Sequence, residues 1–263
     1  MTNNANSFSA YIALFKVTLR QMFWSRRTIL ILLGCLLTLV IALVFRFMAR
    51  GAGSVNRFMP EMTLALYGLL TNLCAIFYGT AIISDEIEGK GLTYLQMRPL
   101  RKSAMLLSKF AAYLVGTVVL VAVSHLLLTG IVATHSKLQN GIFFHLGMSF
   151  RYSASLALGL LVYGALAIVL AVRFKNPVLW GLLFVLGWEN LTVQPMMSMG
   201  IKRLSISHYL LTLYPDYKLS SEIIALRGSE PPSVWVALVV VCVLTVILLW
   251  LAVRIFRERE YLM

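Results

Sequence analysis

Six stretches of this chain are apolar and nearly free of charge, most of them close to twenty residues long: Ile29–Phe45, Leu64–Ile83, Phe110–Ala133, Ser153–Val172, Val178–Val193 and Val234–Val253. A helix needs roughly 20 apolar residues to cross about 30 Å of hydrocarbon. In lipid every backbone N–H and C=O must be satisfied internally, so runs of this kind predict helices. Composition agrees. Of 263 residues 60% are hydrophobic and 13% charged, about half the charged share of a soluble domain. The expectation is an all-α polytopic membrane protein, one transmembrane domain over 1–263 with six transmembrane helices. The fifth run is the weakest, because Glu189 and Asn190 interrupt it.

The net charge of +13 does not mark a nucleic-acid binder. Its basic residues sit at span ends and in connectors, not in one stripe interleaved with aromatics. An even span count puts both termini on one side. With the termini inside, the inner segments hold 14 Lys and Arg in 69 residues and the outer ones 9 in 77. That bias predicts cytoplasmic termini and contact with anionic membrane lipids. Before the first span, Phe8, Tyr11, Ile12, Phe15, Leu19 and Phe23 recur at helical spacing, with Lys16 and Arg20 off the stripe. Residues 8–27 are therefore expected to form an amphipathic interfacial helix, since Lys16, Arg20, Arg26 and Arg27 would be costly in the bilayer core. The first apolar run is too long for a signal-peptide core and is expected to remain as an anchor.

Little in the chain points to chemistry. Cys35, Cys74 and Cys242 lie inside apolar runs, and none of the four histidines has a second ligand at helical spacing. His125, inside the third run, reads as a helix–helix hydrogen-bonding residue. Ser84–Gly91 contains Gly-Lys but not the spacing of a phosphate loop. No catalytic, metal or cofactor site is expected. Glu189 is the exception, because an ionisable group within a span is a functional hypothesis by default. Asn190, Asn72 and Tyr67 are its candidate partners. The competing reading ends the fifth span at the belt residue Trp188 and leaves Glu189 in the wet outer interface, and Trp188 favours it. Residues 194–233 form a long outer segment, apolar at helical spacing but broken at Pro215. Two short helices are expected there, and Tyr214 and Pro215 are candidates for an outer gate.

The second connector reads ISDEIEGKGLTYLQMRPLRKS, residues 83–103. Asp85, Glu86 and Glu88 force the chain out of hydrocarbon, and Gly89 and Gly91 permit a turn. Leu92, Tyr94, Leu95 and Met97 then offer a short apolar patch, before Pro99 turns Arg98 away from helix. A connector alone could be far shorter. From Asp85 to Phe110 the stretch resembles the first cytoplasmic loop of the type 2 ABC exporter permeases, and among them it is similar to the permease accessory to nitrous oxide reductase. The shared pattern is Glu88, Gly89, Leu92, Leu95, Pro99, Arg101–Lys102 and Leu106-Leu107-Ser108-Lys109-Phe110, with Gly91 where the family often has threonine.

The resemblance implies that residues 84–103 carry a coupling helix that docks into a separate ATP-binding subunit. Glu86, Glu88, Gly89, Leu92, Tyr94, Leu95, Met97, Arg98, Pro99 and Arg101 would be the coupling residues. It implies two ATPase chains using ATP and Mg, a second permease copy or homologue, and a place in a bacterial cytoplasmic membrane. The alternatives are an intramembrane enzyme or an ion-coupled carrier acting on a lipid or peptide. The first needs polar residues converging within the spans; the second needs inverted repeats and interrupted helices.

Overall fold

The computed structural model describes residues 3–49, 51–88, 102–136, 138–192, 197–217, 219–228 and 230–258, and among them every regular element is helical. Helix α1 (Asn3–Phe23) is separated from α2 (Arg26–Met48) by a break at Trp24–Ser25. The corner is pinned by Thr28, whose hydroxyl donates to Met22 O at 2.5 Å and accepts from Tyr78 Oη at 2.7 Å. The amphipathic segment expected over 8–27 is thus a helix of its own, ending at Phe23, and Arg26 and Arg27 open the next one. It packs along α5 (Lys102–Ala133), where Ser108 Oγ donates to Tyr11 O at 2.9 Å.

Helix α3 (Ala52–Met62) runs through a π-helical turn, Thr63–Tyr67, into α4 (Gly68–Glu88) without a break. Pro60, inside α3, removes one backbone donor just before the ladder shifts register. Much of the connector expected over 46–63 is therefore helix. α5 is followed by α6 (Ile142–Arg173), which begins well before the expected Ser153. Lys109 is buried, lining a cavity of about 80 Å³ with Arg27 and Tyr78.

Residues 177–192 are helical throughout but not regular. α7 (Pro177–Leu182) passes into a second π turn, Leu183–Glu189, and then α8 (Asn190–Thr192). Beyond lie α9 (Met199–Lys202), α10 (Ile206–Leu213), α11 (Ser221–Arg227) and the long α12 (Val234–Glu258). The segment expected to hold two short helices holds three among its described residues, with Pro215 just past the end of α10.

Among the described residues five helical stretches are long and apolar enough to cross a membrane: Arg26–Met48, Val55–Ser84, Lys102–Ala133, Ile142–Arg173 and Val234–Glu258. They contain the first, second, third, fourth and sixth apolar runs. The fifth run falls in 177–192, which at ~1.5 Å per residue is shorter than a hydrocarbon core.

α6 is the centre of the bundle and packs against α4, α5 and α12. Its contacts with α4 and α5 depend on missing side chains. A Cβ on Gly79 would lie 2.7 Å from Ala167 Cβ, and one on Gly164 would lie 2.3 Å from Tyr113 Cε1. Small residues let membrane helices approach where lipid supplies no hydrophobic drive between them. Unlike in a soluble fold, α2 and α12 leave Leu32, Leu33, Leu36, Val239, Val243 and Ile247 exposed, while the mostly apolar interior encloses a group of hydroxyls around a histidine. His125 joins Thr63 (2.9 Å) and Ser149 (2.8 Å), and Thr129 Oγ1 donates to the same Ser149 at 2.9 Å. Next to it Tyr67 Oη meets Ser124 Oγ at 2.8 Å and accepts from Thr38 at 3.2 Å. His125 thus bonds helices together, as its position in an apolar run suggested.

Candidate functional site

Asn72, Glu189, Asn190 and Tyr214 line one cavity of about 290 Å³. Its walls come from the first π turn and α4, from α6, from the second π turn, and from α10. Both π turns therefore face the same space. A π turn widens the helix and offsets its hydrogen bonds, a geometry frequent at functional positions. Pro215 follows Tyr214 and is not part of the lining.

Glu189 closes the second π turn and is 2% exposed. The expectation that it sits in a wet interface is corrected by its contacts. Oε2 accepts from Ser205 Oγ at 2.6 Å and from Ser207 N at 2.9 Å, and Oε1 accepts from Ile206 N at 3.1 Å. Ser205 is the N-cap of α10 and makes no side-chain cap bond of its own. The carboxylate thus caps α10 from another element, satisfying orphan donors and opposing the positive end of the helix dipole. The candidate partners Asn190, Asn72 and Tyr67 do not hold it. Asn190 is exposed, Asn72 is half-buried on the cavity wall, and Tyr67 belongs to the interior hydroxyl network.

The other end of α10 is held by a cation. Arg227, at the end of α11, donates from Nε to Leu211 O at 2.9 Å and from Nη2 to Tyr214 O at 2.5 Å, and pairs with Asp216. Those carbonyls lie at the negative end of α10, where a cation is favoured. Lys202 makes the corresponding contact with α11, its Nζ reaching Ala225 O (3.4 Å) and Leu226 O (3.5 Å). Both ends of α10 and the C-terminal end of α11 are thereby closed by ionic side chains from neighbouring elements, while Ser220 Oγ accepts from Ile223 N at the start of α11. Burial pushes the Tyr214 hydroxyl pKa up, with Tyr152 adding to it. His208, on α10, is buried with neither ring nitrogen hydrogen-bonded. That burial, then nearby Lys202 and Arg203, lowers its pKa.

Several of these residues carried no sequence signal. Ser207 and Arg227 look ordinary in the chain, and Ile206 acts through its backbone alone. Of the expected coupling residues, Glu86 and Glu88 lie in the last turn of α4. Gly89, Leu92, Tyr94, Leu95, Met97, Arg98, Pro99 and Arg101 lie outside the described residues. Among the described residues no group of three His, Cys, Asp or Glu is placed to hold a metal ion.

The family model described as ABC-2 family transporter protein matches residues 22–188. The match runs from the end of α1 to the second π turn and takes in both the connector 84–103 and the interior network around His125. Among curated proteins none is a significant match. With well over half of its length matched, the chain belongs to the ABC-2 transporter family.

Proposed function

We propose that this chain is the membrane-spanning permease of an ABC exporter, moving its substrate across the cytoplasmic membrane with ATP hydrolysed by a separate subunit. The observation that carries it is the family match over 22–188, which makes the chain a permease subunit of an ABC transporter and implies an ABC ATPase as its partner. The finer reading adds two ATPase chains using ATP and Mg, and a second permease copy or homologue. Docking is through 84–103, with Leu92, Tyr94, Leu95 and Met97 as the apolar contact. The nearer likeness to the permease accessory to nitrous oxide reductase rests on the 26 residues 85–110 alone.

In this reading 177–192 is the fifth of six crossings, made in locally thinned bilayer, and both termini are cytoplasmic. Then α9–α11 lie on the outer side. Their closed ends suit a short helical cap over the cavity, because capped helices can sit at membrane depth without orphaned backbone groups. ATP binding would tilt α4 and α5 through the connector that joins them. Affinity purification of the full chain in mild detergent tests the proposal. A chain with phosphate-loop motifs should come with it at near equal amount, and repeated purification without one would overturn it.

A further inference from the structure

The buried threonines of this protein almost all turn their hydroxyls onto their own helix. Thr63, Thr80, Thr117, Thr129, Thr212 and Thr245 each donate to the carbonyl four residues back, at 2.6 to 3.0 Å. Thr71 does not. It is 3% exposed, its Oγ1 has no hydrogen-bond partner, and it lines the 290 Å³ cavity. It stands just after the first π turn, where Gly68 N–H reaches back five residues to Thr63 O. A buried hydroxyl left unsatisfied is destabilising, so such a group calls for a partner that arrives from outside the chain.

The rest of the cavity defines that partner. Leu156 and Leu210 make part of its wall apolar, and the Asn72 amide stands beside Thr71. Ala65 and Leu69 are exposed at its edge, so it opens onto the flank of the bundle, the side that lipid covers. Among the described residues no Lys or Arg lines it, and the one carboxylate there, Glu189, already has both oxygens occupied. An anionic head group would meet that carboxylate and no cation among those residues. From the unpartnered Thr71 hydroxyl in a mostly apolar cavity whose described lining holds no cation, we infer that it binds a single-chain amphiphile with an uncharged, hydroxyl- or amide-bearing head. The head bonds Thr71 and Asn72, and the chain leaves past Ala65 and Leu69. The site stands on its own geometry; its use in transport rests on the permease reading.

The test uses the full chain in phosphatidylglycerol vesicles, whose head groups are anionic, with photoreactive monooleoylglycerol as the probe and photoreactive oleate as the charged control. Monooleoylglycerol should label the 64–72 and 207–214 peptides. Labelling should fall about five-fold in Thr71→Val, the loss of one hydrogen bond, and about as much in Ala65→Phe, which fills the mouth from an exposed position. Oleate should label no better than the variants. Thr71→Val should also melt no lower than the parent, because it deletes a hydroxyl that nothing satisfies in the empty protein. Equal labelling of parent and Ala65→Phe, a preference for oleate, or a lower melting point for Thr71→Val with labelling intact would each overturn the site. ATP added with the ATPase partner separates the sources. A transported amphiphile loses label and a resident lipid keeps it, and both results leave the site standing. Labelling needs no ATPase, so it fails or succeeds independently of the permease reading.

Discussion

A carboxylate with 2% of its surface exposed has to be compensated, and Glu189 finds its compensation in the first turn of α10. Removing it strips the acceptor from two backbone N–H groups and one hydroxyl, so Glu189→Ala should cost about 1–3 kcal/mol, the scale for leaving buried donors unsatisfied. The measurement is thermal melting together with limited proteolysis at 197–217, which should become sensitive. Unchanged melting would mean that α10 is held by packing alone. Burial of His208 gives the same region a pH response. Its folded pKa lies below the unfolded value near 6.5. Its contribution to stability is therefore fully present above about pH 6.5 and is lost as pH falls through that value toward the folded pKa. His208→Gln should remove this acid-side loss, read as melting temperature against pH between about 5 and 7.5. At this scale the sequence was readable in part. An acid inside an apolar run marked Glu189 as unusual, yet its true partners lie 16 to 18 residues away, and two are backbone groups that carry no sequence signature.

Helices α4, α5 and α6 meet where side chains are absent. Gly164 admits the Tyr113 ring, whose hydroxyl donates to Leu160 O at 2.9 Å. Gly164→Ala places a Cβ 2.3 Å from Cε1, so the ring must move and that bond must break. The expected cost is about 1–3 kcal/mol, typical of overpacking, and Tyr113→Leu in the same chain should recover part of it. Melting of the single and double variants checks this, and additive losses would contradict it. The apolar runs anticipated the helices well but not their lengths. Val55–Ser84 begins among Asn56, Arg57 and Glu61, and Ile142–Arg173 begins among His145, Ser149 and Arg151. Hydropathy counts such residues as exits from the membrane, whereas here Asn56 accepts from Gln139 N, and His145 and Ser149 are bonded inside the bundle. The π turns were invisible for a related reason, since a one-residue offset in a ladder leaves the apolar pattern almost unchanged. That a separate helix precedes the first span was legible, because Lys16, Arg20, Arg26 and Arg27 forbid one continuous span, but its end was expected at Arg27 rather than at Phe23.

For the whole molecule, apolar runs and a low charge fraction were sufficient to indicate a helical membrane protein, and a charged connector was sufficient to suggest its family. The helices that expose most apolar surface, α2 and α12, stand at the edge, and the one most buried, α6, stands at the centre, as expected where lipid replaces water as solvent. The proposed route of energy runs from an ATPase into 84–103 and along α4 and α5 to the cavity walled by the two π turns. The most direct test is Leu95→Asp, measured as ATPase retained per permease and as ATP-driven transport in proteoliposomes. The change lies in the connector rather than in a span, so insertion should be normal. An aspartate buried unpaired in the docking contact costs about 3 kcal/mol or more, on the order of a hundred-fold in affinity. The account predicts a normally inserted permease that loses its ATPase and its transport. Full retention of the ATPase with undiminished ATP-driven transport would contradict it.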